Sequence, residues 1–156
     1  MLKEGTTAPD IDAELDDGER FRLSEQKGAK NVVLYFYPKD FTPGCTREAC
    51  AFRDNYSDIE QYGAIIVGVS TDSAESHKAF RERNGLPFPL IPDPEKRIVK
   101  SYDADGLFGI TTARVTYVID KQGVIRAALR HDFAVSRHLP EVLDALKSIE
   151  PAGSKK

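Results

Sequence analysis

Long apolar runs are missing from this sequence, and so is any excess of positive charge. No stretch approaches the ~18 consecutive apolar residues of a membrane-spanning helix, and the first residues, Met1 to Gly5, contain no apolar signal core. The net charge is −3 and the pI is about 5.7, which argues against non-specific binding to nucleic acid, because such binding needs clustered positive charge. We therefore expect a cytoplasmic protein that binds neither membranes nor nucleic acids.

Metal-ligating side chains are also scarce. The sequence has two cysteines, Cys45 and Cys50, and three histidines, His77, His131 and His138, which lie far from the cysteines. Two thiolates alone do not provide the four ligands that a structural zinc ion usually takes. We therefore expect no metal site and no cofactor. His77 falls within a polar run of a predicted helix, and we interpret it as a surface residue.

The rest of the composition is typical of one globular domain. The chain has 156 residues, of which 40% are hydrophobic and 30% charged, enough for a proper core in a protein of ordinary size. It contains no internal repeat and no low-complexity linker. We assign residues 1–150 to a single domain and residues 151–156, which are small or charged, to a flexible C-terminal tail.

Strand and helix signals alternate along the chain. Asp-Gly at positions 17 and 18 is a strong hairpin-turn signal, near-continuous apolar runs indicate buried strands, and apolar residues at helical spacing indicate helices. The predicted elements are a β-hairpin within 8–23, strands at 32–37, 64–70, 90–91, 114–120 and 124–130, and helices at about 45–62, 73–84, 93–102 and 139–149. This order predicts an α/β fold with a central mixed sheet flanked by helices and an N-terminal β-hairpin.

The most informative segment is the loop and helix that follow strand 32–37. Thr42 is a good N-cap residue and Pro43 suits the first helical position, so Cys45 becomes the third residue of the helix. Free backbone N–H groups and the positive end of the helix dipole favour an ionised sulfur at that position. Cys45 is therefore a candidate nucleophile. The simpler alternative is that Cys45 and Cys50 are small core residues that happen to be close.

The residues around Cys45 resemble a known family. Pro38-x-x-x-Thr42-x-x-Cys45 is similar to the active-site signature of the peroxiredoxins. A second cysteine five residues later, Cys50, is similar to the peroxiredoxin Q (bacterioferritin co-migratory protein) branch. The resemblance extends from Ala8 to the strand that ends at Asp120, and it implies a thioredoxin-like fold.

The resemblance also implies a role for each site residue. Cys45 would attack the peroxide and become a sulfenic acid, and Cys50 would resolve it as an intramolecular disulfide that thioredoxin or a similar dithiol reduces. Thr42 would hydrogen-bond the thiolate or the peroxide, and Pro38 would shield the pocket from water. Arg114 would keep the sulfur ionised and polarise the peroxide, because preorganised donors stabilise the charge that develops on the leaving oxygen.

Two further residues and two rival functions complete the expectations. Glu48, one helical turn after Cys45, is placed to orient Arg114 by a salt bridge, whereas Arg47 is interpreted as a solvated neighbour. A thioredoxin-like disulfide exchanger is disfavoured because there is no C-x-x-C. A redox sensor or holdase that uses the same disulfide stays open, because a sensor and a peroxidase begin with the same sulfenic acid. The short N-terminal hairpin offers no element to exchange between subunits, so we expect a monomer.

Overall fold

The computed structural model describes residues 1–106, 109 and 111–149. The strands are β1 (Asp12–Glu14), β2 (Arg20–Arg22), β3 (Asn31–Phe36), β4 (Ala64–Ser70), β5 (Leu90–Pro92), β6 (Val115–Ile119) and β7 (Ile125–Arg130). The helices are α1 (Pro43–Asp54), α2 (Tyr56–Glu60), α3 (Ala74–Asn84), α4 (Arg97–Ser101) and α5 (His138–Ile149), with short 3₁₀ turns at Leu23–Gln26 and Val135–Arg137. The predicted tail, residues 151–156, lies outside the described residues.

The main sheet has five strands in the order β5-β4-β3-β6-β7. The pairs β3–β4 and β4–β5 are parallel, and the pairs β3–β6 and β6–β7 are antiparallel, so the sheet is mixed as predicted. All six residues of β3 are buried, because this strand is central and both faces of the sheet are covered. The N-terminal hairpin, β1 paired with β2, forms a separate two-stranded sheet, also as predicted.

One apolar core lies on each face of the sheet. The first face packs against α1, α2, α3 and α5 through side chains such as Phe52, Phe80 and Leu146. The other face packs against α4 and the N-terminal segment through Phe21 and Val99. This arrangement confirms the predicted α/β fold with helices on both sides.

Two predicted helices begin or end elsewhere in the structure. The helix expected to continue from Cys45 to about Tyr62 is interrupted at Asn55, whose side-chain amide donates to the Ala51 carbonyl at 2.9 Å. This local bond competes with continuation of the helix. The helix expected to start at Asp93 begins only at Arg97, because the backbone turns through a left-handed residue, Lys96 (φ 62°), just before it.

Candidate active site

Cys45 lies in the first turn of α1, just beyond the carboxyl end of the central strand β3. Thr42 has the extended backbone of an N-cap residue (φ −81°, ψ 151°), and Pro43 is the first helical residue, so the predicted helix start is confirmed. Only 1% of the Cys45 side chain is exposed. The buried sulfur therefore lies beside the free backbone N–H groups of the first helical turn.

The hydroxyl of Thr42 does not cap the helix. Its Oγ1 donates to the Lys39 carbonyl at 2.8 Å, and the residue makes no side-chain bond to a helix N–H. The expected cap bond is therefore wrong, although the position is right. Because the hydroxyl proton is used within the loop, the oxygen lone pairs remain as acceptors. The contact of Thr42 with the thiolate or the peroxide stays a prediction.

Arg114 supplies a positive charge next to the sulfur. It directly precedes β6, and the antiparallel pairing of Val115 with Phe36 brings it to the end of β3, next to the start of α1. Its Nη1 donates to Cys45 Sγ at 3.1 Å and to Glu48 Oε1 at 3.4 Å. The residue is 9% exposed. The pairing of a guanidinium with a buried sulfur therefore arises from residues that are 69 positions apart in sequence.

Gly44 makes this close approach possible. A Cβ at this position would lie 2.7 Å from Arg114 Nη2, which is closer than van der Waals contact allows. Sequence reasoning did not assign Gly44 to the site. The available signal was a glycine in the first turn of a helix, where its intrinsic propensity is poor.

Glu48 holds the other side of the guanidinium. It is buried, with 3% of the residue exposed, and burial raises the pKa of its carboxyl to about 8, while the neighbouring Arg114 lowers it only in part. At neutral pH the carboxyl is therefore mostly protonated. It orients the guanidinium through a hydrogen bond and leaves the positive charge directed at Cys45.

His138 packs behind Glu48 and was not expected there from the sequence. Its Nδ1 lies 2.9 Å from Thr116 Oγ1 and 3.7 Å from Glu48 Oε2, and its Nε2 lies 3.2 Å from the His131 carbonyl oxygen. Burial lowers the pKa of His138 to about 4, so the ring is neutral at pH 7. A carbonyl can only accept, so the ring proton is on Nε2 and Thr116 donates to Nδ1. No signal in the sequence links position 138 to position 48.

A surface cavity of about 440 Å³ leads to Arg114. Pro38 lines it and is half-buried, and Phe133, whose side chain is almost wholly exposed, stands at its rim. Arg114, whose guanidinium contacts the Cys45 sulfur, forms part of the cavity wall. Pro38 thus lies beside Arg114 in the wall of this cavity, and the shielding role that the family resemblance implies for it stays a prediction.

Cys50 lies apart from this constellation. Both cysteines are free, and Cys50 is half-buried, with its Sγ 3.7 Å from Asn84 Oδ1 at the end of α3. Cys45 contacts Arg114 on the core side of α1, whereas Cys50 projects from the flank of the same helix. The structure is therefore that of the reduced protein with α1 intact.

His77 is not a surface residue, which corrects the expectation from the sequence. It is completely buried, with its Nδ1 2.7 Å from Asp40 Oδ2 and its Nε2 3.1 Å from the Ile91 carbonyl oxygen. The run from Glu75 to Arg83 is polar because most of α3 faces solvent, but His77 lies on the opposite face. Ligand atoms of Asp40, Asp72 and His77 lie within 4.8 Å of one another, and each residue already makes hydrogen bonds with its neighbours.

Among the described residues, no helix combines the length and the apolar character that crossing a membrane requires.

Comparison with known proteins places these features in a family. The sequence model of the AhpC/TSA family matches residues 5–128. The chain is 43% identical to the chloroplastic peroxiredoxin Q of Sedum lineare over 150 residues, which cover 96% of this chain and 80% of the relative. It is also 43% identical to peroxiredoxin Bcp of Bacillus subtilis over 151 residues, covering 93% of this chain and 95% of the relative.

A solved structure agrees with the sequence relatives. The bacterioferritin comigratory protein of Xanthomonas campestris, whose structures address alkyl peroxide reduction activity, superposes with a TM-score of 0.81 at 32% identity. The match covers 89% of this chain and 91% of that protein. With a family model that spans most of the chain and relatives above 40% identity, the membership predicted from the Pro38-to-Cys45 signature is confirmed. The chain belongs to the AhpC/TSA family, as a peroxiredoxin of the peroxiredoxin Q and Bcp group.

Proposed function

We propose that this chain is a thiol-dependent peroxidase that reduces hydrogen peroxide and organic hydroperoxides, with Cys45 as the nucleophile. One observation carries the proposal: the Arg114 guanidinium donates to a buried Cys45 sulfur at a helix N-terminus, at 3.1 Å. A guanidinium does not lose its proton at physiological pH, so it is a dependable donor to a thiolate.

In the first step the Cys45 thiolate attacks one oxygen of the hydroperoxide. An S–O bond forms, the O–O bond breaks, and its electron pair leaves on the second oxygen, which takes up a proton as water or an alcohol. Negative charge thus moves from the sulfur to the leaving oxygen. Arg114, held between Cys45 and Glu48, supplies a donor that is already in place as that charge develops. Thr42 Oγ1 accepts a hydrogen bond from the hydroperoxide O–H and orients it for attack.

In the second step Cys50 resolves the Cys45 sulfenic acid. The Cys50 thiolate attacks the oxidised sulfur, an S–S bond forms, and hydroxide leaves and is protonated to water. Support comes from the nearness of the two cysteines in sequence and from the half-exposed position of Cys50. A dithiol reductant of the thioredoxin type then exchanges with the disulfide and restores both thiols.

The surroundings of the protein follow from this cycle. A cycling cysteine pair needs a reducing compartment that maintains the dithiol partner, and we propose the cytoplasm, although the plant relative is chloroplastic.

We also propose that the protein is a monomer. The exposed large apolar side chains of the described residues are Met1, Phe41 and Phe133, which are too few for an apolar subunit interface. Size-exclusion chromatography with light scattering measures this directly.

The test of the function is repeated turnover. The purified protein with thioredoxin, thioredoxin reductase and NADPH should consume many equivalents of hydrogen peroxide or an alkyl hydroperoxide. The Cys45→Ser variant should consume none, and the Cys50→Ser variant should react once and accumulate the sulfenic acid. Turnover by Cys45→Ser would refute the assignment of the nucleophile. Consumption of a single equivalent by the parental protein, with the reductant working on a control substrate, would instead support the sensor or holdase.

A further inference from the structure

The loop that carries Pro38 and Thr42 is anchored at its midpoint by Asp40. This residue is 3% exposed, and its carboxylate accepts from Tyr37 Oη at 2.6 Å and from Ser76 Oγ at 2.8 Å. The same carboxylate lies 2.7 Å from His77 Nδ1. Asp40 therefore links the end of β3 to α3, across the start of the active-site loop.

His77 connects Asp40 to β5. One ring nitrogen faces the carboxylate and the other faces the Ile91 carbonyl oxygen at 3.1 Å. A carboxylate oxygen and a carbonyl oxygen both accept hydrogen bonds, so both ring nitrogens of His77 face acceptors. A buried pair that is enclosed by hydrogen bonds in this way has one favoured geometry, and losing one partner leaves a buried polar group unsatisfied.

The backbone of Asp40 is held by a second carboxylate. Its N–H donates to Asp72 Oδ2 at 2.8 Å, and Asp72 in turn is held by the Ser70 hydroxyl at 2.6 Å. Residue 41, which follows, has a left-handed backbone with φ 67°. For a residue other than glycine this conformation is uncommon and persists where neighbouring contacts enforce it.

The Asp40 N–H belongs to the peptide group between residues 39 and 40, and the carbonyl of the same group orients Thr42. The carbonyl of Lys39 and the N–H of Asp40 are the two ends of one planar unit and point in opposite directions. Asp72 holds the N–H end, and Thr42 Oγ1 donates to the carbonyl end at 2.8 Å. Rotation of this peptide plane would move the carbonyl and redirect the Thr42 hydroxyl.

We infer that Asp72, with the Asp40–His77 pair, forms a positioning unit that sets the direction of the Thr42 hydroxyl through the 39–40 peptide plane. The inference rests on the proposed peroxidase function, because it concerns how the hydroperoxide is oriented beside Cys45. The unit touches neither substrate nor sulfur. It acts through Thr42, so its removal should impair the reaction with peroxide and spare the intrinsic reactivity of Cys45.

The test is a double-mutant cycle on the first step. In a Cys50→Ser background Cys45 is the only thiol, and its rates with hydrogen peroxide and with iodoacetamide are both measured, by quenched mass spectrometry. Asp72→Ala should slow the peroxide reaction about 10- to 100-fold, the size of effect expected when a reacting group is misplaced by about 1 Å. Alkylation by iodoacetamide, which needs no oriented substrate, should keep the parental rate.

Coupling to Thr42 separates positioning from a general structural effect. Thr42→Val should slow the peroxide reaction, and Asp72→Ala added to Thr42→Val should slow it little further, because both changes remove the same interaction. Asp72→Asn retains an acceptor oxygen and should recover most of the rate. Asp58→Ala, at an exposed position on α2, is the charge-matched control and should react like the parental protein.

Several results would overturn the inference. The inference would be wrong if Asp72→Ala or Thr42→Val reacted with peroxide at the parental rate. It would also be wrong if the losses of the two single variants added up in the double variant, or if Asp72→Ala slowed alkylation as much as it slowed the peroxide reaction. If Asp72→Ala lowers the folded fraction, Asp40→Asn replaces it in the same cycle, since it changes the carboxylate that faces His77 and leaves the backbone bonds in place. Failure of the parental Cys45 to react with peroxide would instead reject the proposed function, so the two failures are distinguishable.

Discussion

Formation of a disulfide between Cys45 and Cys50 should unwind the first turns of α1. The two residues are five positions apart in a continuous helix, which separates their Cα atoms by roughly 7.5 Å along the axis and about 140° around it, or roughly 8.6 Å in total. A disulfide requires about 4.4–6.8 Å, with the Cβ atoms facing each other. The Cα atoms must therefore approach by about 2 Å or more, and the helix cannot absorb that change intact.

The structure indicates which residues take part. Cys45, Glu48 and Ala49 are buried on the core face of α1, and Arg114 bonds to the first two. Oxidation should withdraw all three from the core and release the guanidinium. The amides from Thr46 to Phe52, the first of which donates to the Thr42 carbonyl at 2.9 Å in the reduced protein, should then lose their hydrogen bonds.

Hydrogen–deuterium exchange with mass spectrometry measures this change. Opening a packed helix costs a sizeable part of the global stability, so about 4 kcal/mol of protection, or roughly 10³-fold slower exchange, is expected for these amides in the reduced protein. After oxidation their protection should fall to nearly none, while β4 keeps its protection in both states. Peroxide-treated Cys50→Ser, which forms the sulfenic acid but no disulfide, should stay protected. Equal protection in both redox states, with the disulfide confirmed by mass, would refute the reasoning.

Three further predictions concern the charged groups around the sulfur. Arg114→Ala should lower the rate of Cys45 with peroxide about 10²- to 10³-fold, the range for removing one preorganised donor, as measured by stopped-flow kinetics; a parental rate would contradict its role. Because burial raises the pKa of Glu48 to about 8, its carboxyl should ionise above that pH and place a second anion near the sulfur. The rate of Cys45 with peroxide should then fall several-fold above pH 8 in the parental protein but not in Glu48→Gln. Identical pH profiles of the two proteins would contradict this effect of Glu48. The pKa of His138 is lowered to about 4 in the folded protein, from about 6.5 when unfolded. Because the unfolded state binds the additional proton, stability should fall by roughly 3 kcal/mol as the pH drops from 6.5 to 4. Urea titrations should show this loss in the parental protein and a smaller one in His138→Gln, and equal losses would contradict it.

Because Glu48 is mostly protonated at physiological pH, it does not neutralise the positive charge of Arg114. An ionised carboxylate at this position would compete with the thiolate for the guanidinium. A protonated carboxyl still accepts the Arg114 hydrogen bond at 3.4 Å and fixes its direction. Burial of Glu48 thus leaves the positive charge of Arg114 directed at the Cys45 sulfur.

Local sequence patterns were sufficient for most of the secondary structure and for the place of Cys45 in the first turn of a helix. The apolar runs at 32–37 and 64–70 predicted the two central strands to within one residue, because a strand buried on both faces has few alternatives. Thr42, Pro43 and the helical spacing after them placed Cys45 at a helix N-terminus, because helix starts depend on neighbouring residues. The break at Asn55 and the late start of α4 were missed, because each depends on one side-chain bond or one left-handed residue.

Long-range packing decided the remainder of the site. The sequence alone made Arg114 an ordinary strand-opening residue, and only the family resemblance singled it out. Its contact with Cys45 depends on the antiparallel pairing of β3 with β6. The surroundings of His77 and His138 also depend on long-range packing. The sequence predicts a surface position for His77 and no role for His138, yet both are buried against acidic side chains of the active-site region.

The physical reason is the range over which each interaction acts. Periodicity, capping and turn chemistry are properties of a few consecutive residues, so the sequence by itself determined most of the elements, the fold class and the position of Cys45 at a helix start. Burial, and with it the protonation of Glu48 and the partners of His77, depends on which elements pack together. Only the tertiary structure decided those, because it brings groups that are 37 to 69 positions apart into hydrogen-bond distance.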